Sequence, residues 1–129
     1  MQLAYTILYV DDVPKTLELW NKAFGLEIDH SDEDGLYGEL NTGDTTLAFA
    51  EKEFGKSHFE DSATHAIFEG PPRRFEIGLV TPEVDAAFER ACKAGMTCVR
   101  APVRQAWGQR VAWLSDINGI LIELSSPPE

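Results

Sequence analysis

The sequence predicts an α+β domain of two βαβββ modules whose mixed sheets curl into a cup. Two observations predict it. The order strand, helix, strand, strand, strand is legible twice, at an offset of roughly 70 residues. Each of the two helical segments also carries one apolar stripe bounded by start and stop signals. Tyr9-Val10 corresponds to Leu79-Val80, Val13 and Leu17 to Val84 and Phe88, and Gly25 to Gly95. The predicted boundaries are residues 1–51 for module one, 52–74 for a connector and 75–126 for module two, all within a single domain over 1–129.

Leu3 to Val10 alternates Tyr5, Ile7 and Tyr9 with Thr6, Leu8 and Val10, so both faces are mostly apolar, as in a strand covered on both sides. Asp11 and Asp12 offer a helix N-terminus and Pro14 suits its first turn. Val13, Leu17, Trp20 and Phe24 recur at helical spacing, and Gly25 ends the helix. Leu26 to His30 is a short strand, and Leu36 to Asn41 with Thr45 to Glu51 is a hairpin. Lys52 to Arg74 mixes charges with two histidines, Gly70 and Pro71-Pro72, which suits a connector with a short turn of helix. Phe75 to Val80 begins the second module with Phe75, Ile77 and Leu79 on one face. Thr81-Pro82-Glu83 starts a helix striped by Val84, Phe88 and Ala91, which Gly95 closes. Met96 to Arg100 is a strand, Ala101 to Gln105 a loop, and Gln109 to Ser115 with Ile120 to Ser125 a hairpin; Ser126 to Glu129 is a tail.

With 129 residues and 43% hydrophobic content the chain is long enough to bury a core. No segment has the length of apolar sequence that crosses a bilayer, and Met1-Gln2-Leu3 does not open a secretory signal, so a cytoplasmic protein is expected. A formal net charge of -11 repels phosphate backbones and anionic lipid, which argues against nucleic-acid and membrane partners. Cys92 and Cys98 lack zinc-ligand spacing and are expected as two packed thiols. His30, His58 and His65 have no common helix or strand spacing and are expected at the surface. No phosphate-binding loop, dinucleotide fingerprint or Ser/His/Asp set is legible.

Two stretches carry a family resemblance. Ile7-Leu8-Tyr9-Val10-Asp11-Asp12-Val13, followed by Leu17, Trp20 and Phe24-Gly25-Leu26, looks like the opening of a vicinal-oxygen-chelate module. The closing segment from Trp107 to Leu124, with Asp116-Ile117-Asn118-Gly119 at its turn, resembles that family's last hairpin. The chain therefore resembles the glyoxalase, bleomycin-resistance and dioxygenase superfamily. The resemblance implies the cupped two-module fold and a homodimer. Fold alone does not assign an activity.

Metal-dependent members of that superfamily place histidines on the first strand of each module and carboxylates on the last. On this chain the resemblance puts Tyr5 and Phe75 at the first-strand positions, Ala48 at the last strand of module one and Glu123 at that of module two. One carboxylate does not hold a divalent ion, so no metal and no cofactor are expected. Glu76, beside Phe75, is expected on the opposite face of its strand.

The cup so inferred is lined by Tyr5, Ile7, Tyr9, Phe75, Ile77, Trp107 and Glu123. Aromatic walls and one acidic group suit a small aromatic or cationic organic ligand between the modules, with Arg110 or Tyr5 as partners for Glu123. Glu123 is also the candidate catalytic acid or base, since an apolar setting raises a carboxyl pKa. The alternative is a metal-dependent glyoxalase-like lyase, isomerase or dioxygenase with a rearranged site built from Glu123, Glu51 and a connector histidine.

Overall fold

The computed structural model describes residues 1–128; Glu129, the end of the expected tail, lies outside the described residues. The chain divides into two compact units, one of Met1–Asn21 with Gly25–Gly70, the other running from Pro71 onward with Lys22–Phe24. Each contains a four-stranded mixed sheet, so the two-module α+β architecture is the observed one.

In the first unit β1 (Tyr5–Val10), β2 (Ile28–Ser31), β3 (Tyr37–Leu40) and β4 (Thr46–Glu51) form a sheet in the order β1-β4-β3-β2. β1 runs parallel to β4, and the other pairs are antiparallel. A parallel pair needs a long crossover, and α1 (Val13–Phe24) begins it. α1 starts where the sequence says it should: the Asp12 side chain accepts from the Lys15 backbone N–H, and Pro14 sits in the first turn. Gly25 ends it with φ 70°, a conformation glycine adopts without steric cost. The stripe residues Val13, Leu17 and Trp20 are at most 1% exposed. They pack on the sheet face that carries Phe49, whose ring lies 5.3 Å from that of Trp20, and Gly38, whose bare Cα admits Leu17.

The connector is more ordered than expected. Residues 52–68 form α2 (Lys52–Lys56), α3 (Ser62–His65) and a 3-10 turn over Ala66–Phe68. Side chains cap both short helices, Glu51 accepting from Phe54 N–H and Asp61 from Thr64 N–H. Phe68 is buried and meets Tyr9 edge to face at 4.6 Å, which ties the connector to the first sheet.

In the second unit β5 (Ile77–Val80), β6 (Thr97–Arg104), β7 (Arg110–Ser115) and β8 (Leu121–Ser125) take the order β5-β8-β7-β6. β6 is longer than the sequence suggests and absorbs most of the expected loop at 101–105 through two register shifts. α4 (Val84–Ala94) packs on β6, β7 and β8 through Val84, Phe88 and Ala91, over the face bearing Leu114, Ile122 and Leu124. Cys92 and Cys98 are joined in a disulfide, not left as packed thiols: the turn at Gly95 folds β6 back on α4 and brings their Cα atoms to 6.0 Å. Among the described residues no helix is long and apolar enough to cross a membrane.

Candidate functional site

Register decides which side chains share a face, because side chains alternate along a strand and paired residues point the same way. In the second sheet Gly78, Glu123, Trp113 and Arg100 stand in one row across β5, β8, β7 and β6. Ile77 pairs with Ile122 and Leu79 with Leu124, so both lie on the opposite, helix-covered face. This corrects the expected lining. Ile77 does not stand with Glu123, and Phe75 precedes β5 altogether.

The side chain that does join Glu123 is Glu76, expected to point away. The Trp113 indole donates to Glu76 Oε2 at 3.0 Å, and the Glu76 charge reaches Glu123. A one-residue error in the repeat explains the difference. Gly78↔Glu123 in the second sheet matches Ile7↔Ala48 in the first, so Tyr5 corresponds to Glu76 and the offset is 71, as for Val13 and Val84.

Glu123 is half-buried. Its carboxyl pKa is raised, first by burial and then by repulsion from Glu76. Gly78 leaves room beside it: a Cβ built there would have Glu123 Oε2 as its nearest contact, at 3.8 Å. Arg100 stands 5.9 Å from the Trp113 ring centroid and adds a positive charge to the row. The expected partner Arg110 is engaged elsewhere, donating through Nε and Nη2 to both oxygens of Asp85 at 2.6 and 2.7 Å. Trp107 is 61% exposed in the loop before β7 and donates to Gln109, so the tryptophan beside Glu123 is Trp113. Such a row can anchor a cation, stack a flat ring or exchange a proton at Glu123.

In the first sheet Tyr5, Ile7 and Tyr9 share one face, paired with Thr46, Ala48 and Ala50. All three are more than 40% exposed. His30 lies near the end of β2 and its ring contacts Asp32, whereas His58 and His65 contact connector carbonyls at Phe54 and Phe59.

The donor set does not fit a divalent centre of the family kind. The four corresponding positions are Tyr5, Ala48, Glu76 and Glu123, and two carboxylates from one sheet leave a hard cation short of ligands. Among the described residues no three His, Cys, Asp or Glu side chains converge on a point that could hold a metal. Glu51 caps α2 and is not available to such a set.

A family model described as Glyoxalase/Bleomycin resistance protein/Dioxygenase superfamily matches residues 2–124. Curated proteins provide no match. Among solved structures, a glyoxalase/bleomycin resistance protein/dioxygenase family enzyme from Burkholderia phytofirmans PsJN is 22% identical, with a TM-score of 0.83 and 98% of each chain covered. A glyoxalase-related enzyme from Fulvimarina pelagi is 15% identical with a TM-score of 0.82, over 98% of this chain and 88% of that one. A superfamily member from Sphaerobacter thermophilus DSM 20745 is 23% identical with a TM-score of 0.75, again over 98% of each. At these identities the likeness is one of fold.

Proposed function

Because the chain belongs to the glyoxalase/bleomycin resistance protein/dioxygenase superfamily, whose fold supports small-molecule binding, we propose that it is a metal-free binding protein for a small aromatic or cationic organic molecule. The observation that carries this reading is Glu123: a half-buried carboxylate in a row with Trp113, with open space over Gly78. Trp113 supplies a flat apolar surface fixed by its bond to Glu76, which lowers the ordering cost of stacking. Glu123 supplies charge when ionised and a hydrogen-bond donor when protonated.

A thermal-shift screen of aromatic and cationic compounds tests this, followed by Glu123→Gln and Trp113→Ala on any hit. Each variant is expected to weaken binding about tenfold with little loss of fold; unchanged binding in both would sink the proposal. The second reading, a metal-dependent lyase, isomerase or dioxygenase, is favoured by Glu76 standing beside Glu123. Elemental analysis of protein purified without chelator separates the two. The expected metal content is far below one per chain, and near-stoichiometric metal that disappears in Glu123→Ala would replace the first reading with the second. The reading includes a homodimer, supported by the superfamily resemblance and by the exposed edge strand β6; light scattering that gives a monomer at micromolar concentration would remove that part.

A further inference from the structure

Arg100 owes its place in the second sheet to a break in the strand pairing. Thr97 pairs with Ser115 and Cys98 with Leu114, so unbroken pairing would set Val99 against Trp113 and Arg100 against Ala112. Ala112 pairs with Leu124 and is fully buried on the helix-covered face. The register instead shifts by one between Cys98 and Arg100, and Arg100 meets Trp113. A bulge of this kind re-aims a side chain. Here it brings a guanidinium onto the open face, beside Glu123 and Trp113. A second shift before Val103 restores the alternation, so the displacement is confined to the stretch around Arg100.

The guanidinium so placed is exposed, and among the described residues no carboxylate bonds to it. Arg110, on the neighbouring strand, is taken up by Asp85. The Arg100 Cζ stands 5.9 Å from the Trp113 ring centroid, whereas a stacked guanidinium would lie at about 3.5–4.0 Å. Arg100 therefore borders the indole without covering it. The carboxylates stand on the other side. Trp113 reaches from β7 to Glu76, just ahead of β5, so its ring lies over β8. Glu123 Oε2 lies 3.8 Å from the point where a Gly78 Cβ would stand. Negative charge thus gathers at β5 and β8 and positive charge at β6, with an aromatic surface between them. Gly78 and Arg100 are exposed and Glu123 and Trp113 part-exposed, so the row is open along its length.

We infer that the second sheet takes an amphoteric ligand, with a protonated amine at Glu123, a flat ring on Trp113 and a carboxylate at Arg100. The inference rests on the reading at Glu123 and names the ligand class that this site selects. A guanidinium presents two parallel donors that match a carboxylate. Two strand spacings, roughly 9.5 Å, separate β8 from β6. An α-amino acid does not fit, because a single carbon separates its two charges. One benzene ring with short arms spans the row. Glu76 and Glu123 repel the carboxylate end, which sets the direction in which the ligand lies.

4-(Aminomethyl)benzoic acid is the probe. Its methyl ester keeps the amine and the ring without the anion, and benzylamine keeps the amine and the ring alone. All three are titrated at about pH 7.5, where the amines are protonated and the acid is ionised, with the Trp113 indole resonance followed by NMR. A net charge of -11 repels an added carboxylate, so a preference for the acid over its ester requires a local cation. The acid is expected to bind about tenfold more tightly than the ester, and Arg100→Gln to abolish that preference while leaving the benzylamine Kd within about twofold. Arg100→Lys, which keeps the charge without the fork, should retain part of the preference. Equal binding of acid and ester, a preference that survives Arg100→Gln, or an equal loss of benzylamine in that variant would overturn the inference. Benzylamine binding that Glu123→Gln weakens would then leave the reading at Glu123 standing. No saturable binding of any of the three up to about 10 mM would overturn both.

Discussion

A methyl group at Gly38 tests how α1 is held on the first sheet. Gly38 is buried on β3, and a Cβ built there would stand 2.4 Å from Leu17 Cδ1, 3.3 Å from Leu17 Cγ and 3.2 Å from the His30 carbonyl oxygen. Non-bonded carbons settle at about 3.5–4.0 Å, so Leu17 would have to retreat by about 1 Å or more. It has nowhere to go, being 1% exposed in the helix stripe. Overpacking of this kind costs about 1–3 kcal/mol, offset by about 0.5–1 kcal/mol from replacing a strand glycine whose φ is not left-handed. Gly38→Ala is therefore expected to destabilise by about 1–2 kcal/mol. Leu17→Ala alone should cost about 2–5 kcal/mol, but in that background the added methyl enters vacated space and Gly38→Ala becomes neutral or stabilising. The coupling between the two sites is then about 1–3 kcal/mol. Urea denaturation of the four proteins, followed by the fluorescence of the buried Trp20, measures it. Additive losses, or a Gly38→Ala single variant more stable than the parent, would refute the claim that Leu17 seats on a bare Cα.

Three further outcomes follow from the second unit. Glu123 has a raised folded-state pKa, so the folded state holds its proton more tightly than the unfolded chain and stability falls as pH rises through that range. Glu123→Gln should accordingly be more stable than the parent at neutral pH, with the difference closing as pH drops below the ordinary carboxylate range; a difference that grows on acidification would reverse the sign. The Cys92–Cys98 disulfide spans a sequence separation of 6, and closing so short a loop is worth about 2 kcal/mol, so reduction should lower Tm by roughly 6–10 °C. Alkylation without reductant should leave both cysteines unmodified, and mass spectrometry checks this. Asp116 Oδ1 accepts from the backbone N–H groups of Asn118 and Ile120, both at 2.9 Å, so Asp116→Ala should cost about 2–4 kcal/mol by leaving two donors in the last hairpin without partners. A loss under about 0.5 kcal/mol in chemical denaturation would show that water replaces the carboxylate there.

What the sequence reveals and what it hides divide along one physical line. α1 and α4 are legible because stripe, cap and stop are local: Asp12, Pro14, Leu17 and Gly25 each signal within one turn. The sides of β5 are not legible. Phe75, Ile77 and Leu79 alternate like Tyr5, Ile7 and Tyr9, and alternation gives a period without saying which face meets the helix. In β1 the larger side chains stand on the open face, whereas in β5 they stand on the covered one. The helix anchors held the correction, since Val13 to Val84 and Leu17 to Phe88 are both 71 apart and carry Tyr5 onto Glu76. Trp113 is not legible as a site residue, because a tryptophan inside an apolar strand reads as core and its indole bond to Glu76 exists only once β5 lies beside β8. The connector hid for another reason. Its helices of five and four residues are too short for a stripe, although Glu51 and Asp61 stand as their caps.

The one-residue shift also changes the chemistry asked of a ligand. With Phe75 beside it, Glu123 would be a lone acid in an apolar setting. With Glu76 there, two carboxylates share one sheet face, and the second ionises against the charge of the first. Arg100 stands on the far side of the row, 5.9 Å from the Trp113 ring centroid. A cation placed over Gly78 relieves the repulsion directly, so a cationic ligand should bind more tightly as pH rises and Glu123 ionises. A neutral ligand that presents an acceptor should do the reverse, because it needs the protonated acid as donor. The pH dependence of affinity therefore reports which ligand class the second sheet takes, before any natural ligand is identified.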